Sequence, residues 1–136
     1  AIVFADQARL RELEQIVHPA VRAEIRAMIA AATAAPGAGR PVVVLDAIKL
    51  LESGWARECE QIWVVVCPPE QQVARLIATR GMSEAEARQR IAAQPPQEAR
   101  LAHATVVIDN GGSLEATRAQ VDAAWESVRA SVQMPT

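Results

Sequence analysis

At 136 residues, 51% hydrophobic and with a formal charge of -2 at pH 7, the chain can bury the core of one ordinary domain. It lacks the blanket cationic field on which non-specific nucleic-acid or anionic-membrane binding relies. Lys49, in DAIKLLE, is the single lysine beside thirteen arginines, so a phosphate loop of the form G-x-x-x-x-G-K-[ST] is excluded from these residues.

The first segment has an amphipathic helical pattern. Asp6 can cap it, and Leu10, Leu13, Ile16, Val17, Val21, Ile25, Met28 and Ile29 recur at steps of three and four. Pro19 inside the pattern lacks an N–H, which predicts a kink or break near His18-Pro19. AAPGAGRP over 34–41 reads as a loop. Three continuous apolar runs follow, Val42 to Asp46, Ile62 to Cys67 and Thr105 to Asp109, of the kind that parallel strands buried on both faces show. Between the second and third lie two helical patterns, PEQQVARLIATR and SEAEARQRIAAQ, the latter opened by a capping box of Ser83 and Glu86. Gly111-Gly112 makes the turn after the third run, and Ser113 caps a last helix with Leu114, Val121, Ala124, Trp125 and Val128 on its inner face. The succession argues for an α/β fold around a parallel sheet, as one domain over 1–136.

Apolar runs stay well short of the ~20 residues that span a bilayer, and a cytoplasmic protein without membrane or nucleic-acid partners is the simplest expectation. Cys59 and Cys67 have no metal-ligand spacing and read as reduced structural thiols. Trp63 and Trp125 fall on inner faces, whereas Trp55 in SGWAR reads as exposed. His103 reads as a surface residue.

Several residues stand where chemistry could occur. Asp46 ends the first apolar run, at the carboxyl edge where open α/β sheets bind ligands, and can either organise Mg²⁺ or cap a helix. Arg75, Arg80, Arg88 and Arg90 lie on or near a helix pair. Their forked donors suit phosphate oxygens, although from spacing alone a solvated face with Glu84 and Glu86 as partners is the simpler reading. Asn110-Gly111-Gly112 would expose backbone amides at the same sheet edge, or simply form a turn. His18 could act as acid, base or ligand, or be a hydrogen-bonded structural residue beside Pro19.

Taken in order, VFADQARLRELEQIVHPAV, VVVLDAIKLLESG, QQVARL, SEAEARQRIAAQ and ATVVIDNGG resemble the dephospho-CoA kinases. Those enzymes transfer the γ-phosphate of ATP to a ribose 3′-hydroxyl in the last step of coenzyme A synthesis. The resemblance implies a phosphate-loop kinase sheet, order 2-3-1-4-5 in the parent. Only strands 3, 4 and 5 would be present here, with a helical acceptor-side segment over 1–35 and a lid with flanking helices over 70–103. It also implies ATP and Mg²⁺ as cofactors and dephospho-CoA as the small-molecule partner. Arg75, Arg80, Arg88 and Arg90 would face ATP from the lid, Asn110 and Gly111 would lie by the adenine, His18 would belong to the acceptor side, and Asp46 to the metal. Family members read Pro-Leu-Leu where Ile48, Lys49 and Leu50 stand, carry Asp at Thr105, and place an arginine near Thr79 that appears here at Arg80.

The family's phosphate loop and its acidic segment with the general base are not found in this sequence, so no catalytic residue is assigned. A truncated kinase, inactive as an isolated chain, is expected, because positioning and electrostatics supply nearly all the catalysis in phosphoryl transfer. A non-catalytic nucleotide- or CoA-binding or interaction module derived from that family is the alternative, and a different nucleoside-like acceptor remains open. A parallel sheet without its central strand would leave unpaired N–H and C=O groups. Self-association through that exposed centre is the expected remedy.

Overall fold

The structure, a computed structural model, describes residues 7–34 and 41–133. The proposed Asp6 cap and nearly all of the expected 34–41 loop lie outside the described residues. The chain divides into two compact units, Ala1–Ser53 with Val132–Thr136 and Gly54–Ser131.

In the first unit, α1 spans Gln7–Ala34 with Pro19 inside it. Of the expected kink or break, the break is absent. Proline withdraws one N–H from the ladder and strains one turn, and a helix of 28 residues retains its bonds on both sides. The apolar positions that predicted the helix are largely exposed, Leu13, Val17, Val21 and Met28 among them, with Ile16 at 68%. Residues 42–46 form no strand, against expectation. A strand exists only where another takes up its N–H and C=O groups, and no other strand occurs among the described residues of this unit; Val44 is 77% exposed. In the turn that follows, Ser53 N–H donates to Lys49 O at 2.9 Å, and Lys49 Nζ donates to Glu14 Oε1 of α1 at 2.6 Å.

The second unit carries the sheet. Its elements are a 3₁₀ turn at Trp55–Glu58, β1 at Trp63–Val66, α2 at Pro69–Arg80, α3 at Glu84–Ala92, α4 at Gln97–Leu101, β2 at Val106–Asp109 and α5 at Leu114–Gln133. The strands pair in parallel, from Trp63 against Val106 to Val66 against Asp109. The expected α/β class and parallel pairing are therefore present, with two strands instead of three. Both come from the apolar runs that predicted them, and the crossover between them is helical, as parallel pairing requires.

Local signals set the helix ends. Pro69 opens α2, where its missing N–H costs nothing, and Gly81 closes it at φ 63°, a left-handed position that favours glycine. Ser83 and Glu86 form the expected capping box on α3: Ser83 N–H donates to Glu86 Oε2 at 2.9 Å and Glu86 N–H to Ser83 Oγ at 3.3 Å. Ala116 N–H donates to Ser113 Oγ at 3.2 Å, which caps α5.

Trp55, Val64, Val73, Ala87 and Ile108 form the buried core. Trp55, at 5% exposure, corrects the expectation of an exposed indole. Gly54 at φ 80° starts the 3₁₀ turn, and Trp55 is that turn's buried residue. Trp125 departs the other way, at 39% exposure. Trp63 is half-buried, and its indole N–H donates to Gln61 Oε1 at 2.8 Å. Both cysteines are free thiols; burial, reinforced by Glu60 and Glu58, pushes the Cys59 thiol up.

Candidate functional site at the carboxyl edge of the sheet

In the second unit, β1 and β2 run in the same direction, so both end at one edge, followed by Cys67-Pro68 and by Asn110-Gly111-Gly112. Ligands of open α/β sheets bind outside such edges. The two strand ends are joined by Asn110 N–H donating to Val66 O at 2.8 Å.

Helix α2 starts directly at this edge and holds it through side chains. Gln72 Nε2 donates to Cys67 O at 2.7 Å, Gln71 Nε2 to Gly111 O at 2.9 Å, and Arg75 Nη2 to Asn110 O at 2.8 Å. Positions 71 and 75 are one helical turn apart and share a face, which is why they reach successive carbonyls of one turn. Gly111 N–H donates to Asp109 Oδ1 at 2.7 Å. The backbone amides that the sequence suggested for a ligand, those of Asn110 and Gly111, thus bond within the protein. Gly111 is needed for closeness: a Cβ there would meet Asp109 Oδ1 and Pro68 Cδ, each at 2.9 Å. Beyond the turn, Gln120 reads the outer edge of β2 with both ends of its amide, accepting from Asp109 N–H and donating to Asp109 O at 2.9 Å each.

The four candidate arginines divide. Arg75 and Arg90 line one shallow recess of about 300 Å³ with Gln72, Leu76, Ile91 and Gln94. Arg88 is engaged elsewhere. It grips Glu70 through two nitrogens, at 3.2 and 2.9 Å, and Glu84 through Nε at 2.9 Å. These carboxylates hold Arg88 above its ordinary range, and Arg88 in turn pulls Glu70 below its own. Arg80 is exposed in the last turn of α2, where a cation complements the helix dipole. A partly solvated face with acidic partners therefore describes Arg88, with Glu70 as the partner that spacing did not reveal. Arg75 and Arg90 instead share the recess beside α2 and α3.

The remaining candidates belong to the first unit. His18 is exposed on α1 and lines a recess of about 660 Å³ with Arg11, Glu14, Gln15, Pro19, Arg22, Ala23 and Arg26. Glu14 is held below the usual carboxylate range, chiefly by its hydrogen bond from Lys49. Asp46 is exposed, in the stretch without a strand. Among the described residues, no three His, Cys, Asp or Glu side chains come together as a metal site. No helix among them is long and apolar enough to cross a membrane.

Sequence reading missed Gln71, Gln72 and Gln120. For Gln71 and Gln72 the available signal was the amide pair in the first turn of a helix that begins where a parallel strand ends.

A parallel sheet whose carboxyl edge is strapped by an arginine-bearing helix defines an α/β protein of the kind that presents ligands at that edge. A family model described as dephospho-CoA kinase matches residues 1–116. The chain belongs to the dephospho-CoA kinase family. It is 52% identical over 126 residues to a dephospho-CoA kinase of Symbiobacterium thermophilum, covering 93% of this chain and 52% of that protein. It is 39% identical over 127 residues to one of Geobacter sulfurreducens, covering 92% and 62%. The crystal structure of TT1252 from Thermus thermophilus superimposes with a TM-score of 0.72 at 34% identity, over 93% of this chain and 63% of that one. The chain thus spans about half to two thirds of the length of these relatives.

Proposed function

We propose that this chain is the lid and carboxyl-terminal portion of an enzyme that transfers the γ-phosphate of ATP to the 3′-hydroxyl of dephospho-CoA. The observation that carries the reading is 52% identity to a dephospho-CoA kinase along 93% of the chain. The recess with Arg75 and Arg90 supports it chemically. Guanidinium forks stay charged at any working pH and answer the oxygens of a transferring phosphoryl group in pairs. In this reading Arg75 and Arg90 bind phosphate, with Arg80 joining them from the end of α2. Arg88 braces α3 against the first turn of α2, and the Asn110-Gly111 turn meets the adenine. The recess around His18, with Arg11, Arg22 and Arg26, is the acceptor side.

Magnesium serves such reactions by binding phosphate oxygens together with one or two carboxylates. Among the described residues no three His, Cys, Asp or Glu side chains gather to hold the ion, and Asp46 is the carboxylate proposed to bind it. The 136 residues alone are proposed to be inactive, because their one lysine is Lys49 and no phosphate loop is among them.

The test is to assay the intact natural protein and the 136-residue chain with ATP and dephospho-CoA, against adenosine and pantetheine as acceptors. Phosphorylation of dephospho-CoA by the intact protein and none by the shorter chain is the expected result. Preference for another acceptor would overturn the substrate. Turnover by the shorter chain would overturn its proposed inactivity.

A further inference from the structure

We infer that Gln71 is a positioning residue that shapes the turn after β2 for recognition of the nucleotide base, separately from the arginines that meet phosphate. The inference rests on the proposed placement of adenine beside Asn110 and Gly111, and concerns which residue holds that surface in form.

The turn between β2 and α5 is bonded on several sides. Asn110 N–H is taken by Val66 O, Gly111 N–H by Asp109 Oδ1, Asn110 O by Arg75 and Gly111 O by Gln71. Gly111 also lies against Pro68, close enough that a methyl group would collide. A half-buried carbonyl in a turn without a ladder partner must find a donor or lose free energy, and for Gly111 that donor is the Gln71 amide. The turn is therefore set before any ligand arrives. Such preorganisation raises affinity by removing the cost of ordering.

Gln71 and Arg75 make parallel contacts but differ in reach. Arg75 lines the recess with Arg90 as well as donating to Asn110 O, so changing it disturbs phosphate and turn together. Gln71 is not among the residues lining that recess; its side chain bonds Gly111 O and accepts a weak contact from Cys67 Sγ at 3.8 Å. Asn110 lies in the same turn, and its carboxamide is oriented from α5: Oδ1 accepts from Thr117 Oγ1 at 3.1 Å, which leaves Nδ2 as the donor it offers a ligand. A donor fixed in that orientation suits the N1 acceptor of adenine and meets a second donor at the N1–H of guanine. Holding the turn thus holds the group that can tell the two bases apart.

Two substitutions isolate the contact. Gln71→Glu replaces the donor Nε2 with an oxygen of the same size, and Gln71→Met removes the donor without adding charge. In the intact protein both are expected to raise the KM for ATP and to lower the preference for ATP over GTP by about three- to tenfold, the scale of one hydrogen bond. The KM for dephospho-CoA and the inhibition constant of tripolyphosphate should stay within about twofold, since neither contacts the base. Without nucleotide, hydrogen–deuterium exchange of the peptide covering 109–113 should be faster in both variants.

Equal losses for ATP and tripolyphosphate would overturn the inference and make Gln71 a general structural residue. Unchanged base preference would overturn it as well, as would unchanged exchange at the turn. If the unaltered protein fails to phosphorylate dephospho-CoA, the proposed reaction falls, and unchanged exchange in the variants would then also remove the strap.

Discussion

The two compact units use apolar residues in opposite ways. All five of the most buried hydrophobic side chains, Trp55, Val64, Val73, Ala87 and Ile108, lie in the second unit. There, two strands, a helical crossover and side-chain bonds to backbone close on one another. The first unit has a longer helix and an apolar run of equal promise, yet Ile16, Val17, Val21, Met28 and Val42 to Val44 are exposed. Its described long-range link of note is the Lys49–Glu14 ion pair, and that pair is itself partly solvated. Periodicity establishes that a segment can form a helix or strand, whereas burial depends on what the rest of the chain supplies to cover it.

The largest contrast is expected from matched truncations. Ile108, 2% exposed in the centre of β2, should cost about 2–5 kcal/mol when changed to Ala, because a buried aliphatic side chain is lost and a cavity remains. Ile16→Ala should change stability by less than about 0.5 kcal/mol, as exposed positions do. Urea denaturation of both variants measures the difference. A comparable loss at Ile16 would mean that α1 is covered in solution and would break the contrast between the units. Next in size is Gly111→Ala. The added methyl meets two atoms at 2.9 Å, one of them in the Pro68 ring, so about 1–3 kcal/mol of overpacking cost is expected, together with faster exchange at the turn.

Much of the second unit was legible in the sequence, and the reason is that its signals are local. The apolar runs at 62–67 and 105–109, the Ser83–Glu86 capping box and the Ser113 cap each act within a few residues of themselves. The failures depended on distant partners. Residues 42–46 carry a strand composition but have no strand to pair with among the described residues of their unit. Trp55 follows a glycine at φ 80°, a backbone state that SGWAR alone does not dictate. Arg88 looked equivalent to Arg90 by spacing. Its capture by Glu70, eighteen positions earlier, arises only when α2 and α3 pack together. The glutamine strap was invisible for the same reason, since Gln71 and Gly111 are forty residues apart.

A smaller effect sharpens what holds α2 and α3. Ser83→Ala removes the side-chain acceptor for Glu86 N–H and the hydroxyl that donates to Glu86 Oε2, while the backbone N–H at 83 keeps its bond to Glu86; the change should cost about 1 kcal/mol. Circular dichroism melting of the variant should show the loss, and exchange should rise first over residues 83–87. If the melting temperature is unchanged, α3 is fixed by its packing through the buried Ala87 and by Arg88, and the cap contributes nothing measurable.

The smallest expected effect is electrostatic. Glu70 and Glu86 are both held below the ordinary carboxylate range, Glu70 mainly by the Arg88 hydrogen bonds and Glu86 mainly by Ser83. A carboxylate whose folded value is depressed adds stability that is fully present above its unfolded value, about 4.3 for Glu. That stability is lost as pH falls through the lower folded value. Stability should therefore be flat near neutrality and decline on acidification below the ordinary glutamate range. Because both groups are solvated, the contribution of each is modest, and the Glu70–Arg88 part should shrink as salt is added. Glu70→Gln should flatten the acid limb and weaken its salt dependence, while Glu86→Gln flattens the limb and leaves the salt dependence in place. Denaturation midpoints from pH 3 to 7 at low and high salt would measure both. Identical salt responses in the two variants would show that Arg88 adds no net electrostatic hold between α2 and α3, leaving its guanidinium as available to an anionic ligand as that of Arg90.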